Sequence, residues 1–135
     1  MNAVFISVPP VRGVLRDVAA LLTEVGYEVQ HNPKTPFGGP RLVVSAEDDH
    51  VFIFNQSDPD EVAEIMSEPL RQKRVAVLVI EYYLLPLVKR IIEALADDAE
   101  TTVDNDHGVS LRGDEFVRRL RADASWDWRV VTRRE

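Results

Sequence analysis

At 135 residues the chain has the length of one ordinary domain, and it can bury a core without metal or disulfide staples. Its 45% hydrophobic and 29% charged residues exclude a disordered chain, and the absence of cysteine excludes disulfides and thiol chemistry. A formal net charge of −7 repels phosphate backbones and attracts basic protein surfaces, so the expected partner is a protein and not a nucleic acid.

Ala3 to Val8 is an apolar run of β-formers stopped by Pro9-Pro10, which predicts a buried strand. Val14, Leu15, Val18, Leu21, Leu22 and Val25 then recur at helical spacing, and Gly26 supplies a left-handed C-terminal cap. Tyr27-Glu28-Val29 resumes an extended pattern, whereas residues 31–40, with three prolines and two glycines, predict a long loop. Leu42 to Ser45 and Val51 to Phe54 predict a hairpin whose connection is Ala46-Glu47-Asp48-Asp49-His50. Ser57-Asp58-Pro59-Asp60-Glu61 is a helix start, Val62, Ile65 and Met66 are its buried stripe, and Pro69 is its stop.

After a short basic connection, Val75 to Ile80 is apolar without interruption, the mark of a central strand buried on both faces. Leu84, Leu87, Val88, Ile91, Ile92 and Leu95 form a further helical stripe, with Pro86 tolerated in its first turn. Thr101 to Leu111 predicts a second acidic hairpin. A last helix carries Asp114 and Glu115 at its start and Arg118, Arg119 and Arg121 toward its end, each opposing the dipole. Trp126, Trp128 and Val130 alternate, which predicts a closing extended piece that folds back on the core.

The expected fold is therefore a single domain over 1–135 of the α+β (or mixed α/β) class, with a central mixed sheet and four helices. Strand, helix, hairpin and helix follow one another twice, which suggests a duplicated unit with halves 1–69 and 75–122. No apolar run reaches the roughly 20 residues that cross a bilayer. The Met1-Asn2-Ala3 opening lacks the basic and apolar regions of a signal peptide, so the expected compartment is the cytoplasm.

The residues with chemical potential gather at the two acidic turns. Asp104, Asp106 and His107 are ligand-type side chains, but strand alternation sends the two carboxylates to one face and the imidazole to the other. The regular oxygen spacing of a calcium loop is missing, and His31, His50 and His107 are too few for a zinc site, so no metal and no cofactor is expected. A plain turn, in which Asp and Asn bond the local backbone and Gly108 takes a positive φ, accounts for the same residues. Glu47, Asp48, Asp49 and His50 have the same two readings. No nucleophile elbow or phosphate-binding loop occurs, so no catalytic residue is assigned. Tyr82-Tyr83 lie just past the central strand, where open sheets hold ligands, although core packing explains aromatics there equally well. Phe37, within Pro36 to Pro40, is either a partner anchor or part of a plain connection.

Val103-Asp104-Asn105-Asp106-His107-Gly108, Gly113-Asp114-Glu115-Phe116 and Trp126-Asp127-Trp128 together resemble the ending of small bacterial proteins grouped with polymorphic-toxin immunity proteins. The resemblance covers about the last quarter of the chain. It implies a compact cytoplasmic protein that binds and blocks a toxin domain, and it carries no catalytic residues. Three functions thus stand open. The first is stoichiometric protein binding, in which Glu47, Asp48, Asp49, Asp104, Asp106 and His107 meet a basic partner. The second is a metal-assisted hydrolase built from the turn carboxylates. The third is a small-ligand sensor with a pocket by Tyr82 and the proline-rich loop.

Overall fold

The computed structural model describes residues 2–32, 39–56 and 75–129. Among them one antiparallel sheet of seven strands carries three α-helices, an α+β arrangement. The strands are β1 (Asn2–Val8), β2 (Glu28–Asn32), β3 (Arg41–Ala46), β4 (Asp49–Gln56), β5 (Ala76–Tyr82), β6 (Thr102–Asp104) and β7 (Ser110–Arg112). Their spatial order is β2-β3-β4-β5-β1-β6-β7. Helices α1 (Leu15–Val25), α2 (Leu85–Ala96) and α3 (Gly113–Ala122) bury their apolar stripes in the same core as Val4, Ile6, Leu42, Val44, Ile53, Ile80 and Val103. Those strand residues share one face of the sheet through the cross-strand register, so all three helices lie on that face.

The central strand lies where its apolarity places it. β5 is fourth of the seven strands, and it buries Leu78, Ile80 and Tyr82 toward the helices and Val77 and Val79 on the opposite face. On that opposite face Val77 and Val79 pack with Ala3, Phe5, Phe54 and Val75. The sheet is antiparallel throughout, which corrects the expectation of a mixed one: every pairing, β1 with β5 included, runs in opposite directions. The expected helix at residues 57–69 lies outside the described residues, as do Phe37 and most of the proline-rich loop.

The duplicated unit is not borne out. A repeat whose first strands, β1 and β5, pair antiparallel requires a twofold axis perpendicular to the sheet, and such an axis sends equivalent hairpins to opposite ends. Here β5 is met by β4, the second strand of its hairpin, whereas β1 is met by β6, the first strand of its hairpin. Both hairpins therefore turn at the same end.

Local rules account for the helix boundaries. Gly26 ends α1 with φ 114°, and its N–H reaches the carbonyls of Leu22 and Thr23. Pro86 sits in the first turn of α2. That places Leu84 at the N-cap, 54% exposed, and shifts the start of the buried stripe to Leu85. In α1 only Leu15, Val18 and Leu22 are buried, while Val14, Leu21 and Val25 remain exposed.

The C-terminal aromatics close the core. Trp128 is 3% exposed and packs edge-on against Tyr82 and Phe116. Trp126 meets Phe116 at 5.5 Å and lies under the Arg119 guanidinium at 3.9 Å. The two indoles touch each other at 5.4 Å, and no strand forms over residues 126–129, where the chain turns at 128–129; Val130 of the expected extended piece lies outside the described residues.

Gly113 joins β7 to α3 where no side chain fits. A Cβ there would meet the Ala96 carbonyl oxygen at 1.9 Å and Thr101 Oγ1 at 2.0 Å. The Thr101 hydroxyl donates to that same Ala96 oxygen at 2.9 Å, and Gly113 N–H donates to Thr101 O, so the junction is locked from both sides. Gly113→Ala is expected to cost about 2–4 kcal/mol by overpacking against backbone. Urea unfolding followed by tryptophan fluorescence checks this, and a midpoint equal to that of the parent chain would refute the tight junction.

Candidate functional site

The register places both acidic turns at one end of the sheet. Asn2 pairs with Tyr82, Phe52 with Glu81 and Phe5 with Asp104, so the start of β4, the end of β5, the start of β1 and the end of β6 lie together. The β3–β4 turn and the β6–β7 turn project from that end with β5 and β1 between them. At the usual strand spacing, β4 and β6 are about 14 Å apart, well within one protein–protein footprint.

Each turn is built by its own polar residues. Asn105 is fully buried, and its Oδ1 accepts from the N–H groups of His107 and Val109 at 2.8 and 3.1 Å. Asp104 Oδ1 accepts from Asp106 N–H at 2.8 Å. Asp106 takes φ 60° and Gly108 φ 91°, the left-handed conformations that Asp and Gly tolerate best. In the other turn Glu47 has φ 55°, and Asp49 Oδ1 accepts from His50 N–H at 2.8 Å.

The six residues singled out from sequence therefore do not stand equal. Glu47, Asp48 and Asp106 are exposed and have no ion pair among the described residues. Asp49 and Asp104 are half-buried, and each gives one carboxylate oxygen to its own turn. His107 turns inward, with Nδ1 2.9 Å from the Asn105 carbonyl oxygen, and is a turn-building residue more than a surface one. The buried Asn105 organises the loop as the plain-turn reading of the sequence expects, by bonding the local backbone.

Between the turns the chain presents two apolar side chains that sequence reasoning did not place there. Tyr83 and Leu84 follow β5 directly and are 51% and 54% exposed. The His50 ring lies edge-on to Tyr83 at 6.3 Å, which links the β3–β4 turn to this patch. Strand alternation held the clue: Tyr82 is in phase with the buried Leu78 and Ile80, so Tyr83 must leave the core.

Tyr82 itself is buried, and its hydroxyl accepts from Trp128 Nε1 at 2.6 Å. The expected pocket beside it is thus filled by an indole. Burial holds the Tyr82 phenol above its ordinary value, against the Trp128 hydrogen bond and the charge of Arg129, while Asp127 and Asp106 reinforce the rise. Arg129 pairs with Asp127 at 2.9 Å and donates to Tyr83 O at 3.0 Å, pinning the C-terminal segment against the end of β5. The Arg129 hydrogen bond holds the Asp127 carboxyl below the usual carboxylate range.

Among the described residues no three His, Asp or Glu side chains gather closely enough to hold a metal ion. The turn carboxylates line one end of the sheet and do not converge on one point, so the hydrolase has no assembled site among these residues. No helix among the described residues is long and apolar enough to cross a membrane. The chain matches no protein-family model, and comparisons with curated proteins and with solved structures return no similar protein.

The raised Tyr82 phenol has a testable sign. Its protonated form is favoured by folding, so its contribution is fully present below the ordinary tyrosine value of about 10 and is lost as pH rises through the higher folded value. Chemical unfolding from pH 8 to about 11.5 is expected to show a fall in stability above about pH 10 that is smaller in Tyr82→Phe. Parallel curves for the two proteins would remove Tyr82 as the cause.

Proposed function

We propose that this chain is a non-catalytic, cytoplasmic protein-binding domain of the immunity or inhibitor type, which occludes a basic partner such as a toxin domain. The observation that carries the reading is the joint position of the two acidic turns at one sheet end, with exposed Tyr83 and Leu84 between them. A central aromatic and aliphatic patch rimmed by charge is the composition of a protein interface: the apolar centre loses water on contact, and the rim steers approach. Glu47, Asp48 and Asp106 are the steering charges, Asp104 adds its second carboxylate oxygen, Asp49 adds only the charge of a carboxylate whose Oδ2 is buried, and His107 supports the loop that carries them. The net charge of −7 gives the long-range attraction its sign. The C-terminal resemblance to immunity-type proteins supports the same reading.

Occlusion needs no chemistry from this chain. It needs a surface already formed before the partner arrives, and the turn hydrogen bonds and the Arg129 clip hold that surface in shape. Capture with the tagged full chain from its native host tests the proposal. A one-to-one complex with a basic protein domain, whose harmful activity the chain suppresses, is the supporting result; a partner without excess positive charge would overturn it.

With that partner in hand, the double variant Asp104→Asn, Asp106→Lys is expected to slow association about three- to tenfold at low salt and much less at high salt. Stopped-flow mixing across a salt series reads this directly. An unchanged association rate would remove electrostatic steering from the mechanism.

A further inference from the structure

Helix α1 carries an apolar surface that its own core does not use. Val14, Leu21 and Val25 are 44%, 39% and 57% exposed; at about 100° per residue Leu21 and Val25 lie about 40° apart around the helix, and Val14 is the cap residue just before its first turn. The stripe runs about 16 Å along the helix. Beside it opens a cleft of about 230 Å³ whose walls include Val8, Val11, Val18, Leu21, Leu78 and Leu95. Val11, at the mouth, is 76% exposed. Large aliphatic side chains left in water over several turns, next to an apolar cleft, are the surface that a second helix covers.

The charges around the stripe identify the occupant. Asp17 and Glu24, seven residues apart, flank the same side of it. Glu24 has no ion pair among the described residues, and Asp17 has only Arg16 at 4.0 Å. The basic group at the cleft, Arg12, is already committed to Asp98 at 2.8 Å and to the Leu95 carbonyl at 3.0 Å. A second copy of this chain fits poorly, because antiparallel packing about a twofold axis would set the Asp17–Glu24 flank against the same flank of its mate. From this arrangement we infer that α1 and its cleft are a second docking face, for an amphipathic helix of a partner protein that places leucine-like side chains on the stripe and Lys or Arg opposite Asp17 and Glu24.

This surface lies on a different element from the acidic turns, and the two are tested apart. The probe is a helical peptide of about 18 residues, five turns, with leucines at helical spacing and lysines on the flanks; the control replaces the lysines with glutamates. Titration into the isotopically labelled full chain, followed by amide NMR shifts, is expected to perturb α1 and the cleft-lining residues saturably. The glutamate peptide is expected to bind at least about tenfold more weakly. Leu21→Glu with Val25→Glu, both at exposed positions, should abolish binding, whereas Asp104→Asn with Asp106→Asn should keep it. Shifts confined to the acidic turns, equal binding of both peptides, or a self-association that Leu21→Glu abolishes would each overturn the inference. None of those outcomes bears on whether the acidic turns bind their own partner.

Discussion

The pairing of β1 with β5 on one side and β6 on the other is the constraint on which the molecule rests. The first strand of the chain enters the middle of the sheet, with seven residues paired to β5 and three to β6. Its inward residues Val4, Ile6 and Val8 are all essentially buried, each contributing on the order of 1.5–3 kcal/mol relative to exposure. Removing β1 would separate the β2–β5 sheet from the β6–β7 hairpin. The same insertion determines the surface: because β1 runs antiparallel to both neighbours, β5 and β6 run the same way, and the end of β5 and the tip of the β6–β7 hairpin face one direction.

Acidic residues held close together repel, and the fold reduces that cost locally. Asp104, Asn105 and Asp49 spend one side-chain oxygen each on backbone N–H groups of their own turns, which stabilises the turns, while Glu47, Asp48 and Asp106 stay exposed. Farther from the turns, Asp98 and Asp114 are neutralised by Arg12 and Arg112. Arg129 joins the two parts of the design, since it neutralises Asp127 and holds the backbone of Tyr83 in place beside the acidic rim.

The legible and illegible parts of this chain divide along a physical line. Elements whose signal is local were readable: the cap at Gly26, the apolar run of β5, the proline-marked start of α2 and the turn chemistry at Asn105 to Gly108 all depend on residues within a few positions of one another. The duplication failed because similar element order does not determine which strand of a hairpin joins which neighbour. The exposed half of the α1 stripe was unreadable for a related reason. Periodicity marks an apolar face, but how much of that face is covered depends on which elements pack beside it. Leu84 was assigned to a buried stripe and stands in solvent because the helix begins one residue later.

By itself the sequence determined an acidic, cysteine-free α+β chain, the position of its central strand, the glycine cap of α1 and two charged turns, because composition, periodicity and capping act over short stretches of chain. Only the tertiary structure decided that the turns share one end, that Tyr83 and Leu84 lie between them, and that Trp128 fills the space beside Tyr82. Those relations join residues tens of positions apart through strand register and core packing, and such long-range pairings are selected by the burial of the whole core and leave no periodic trace in any one segment.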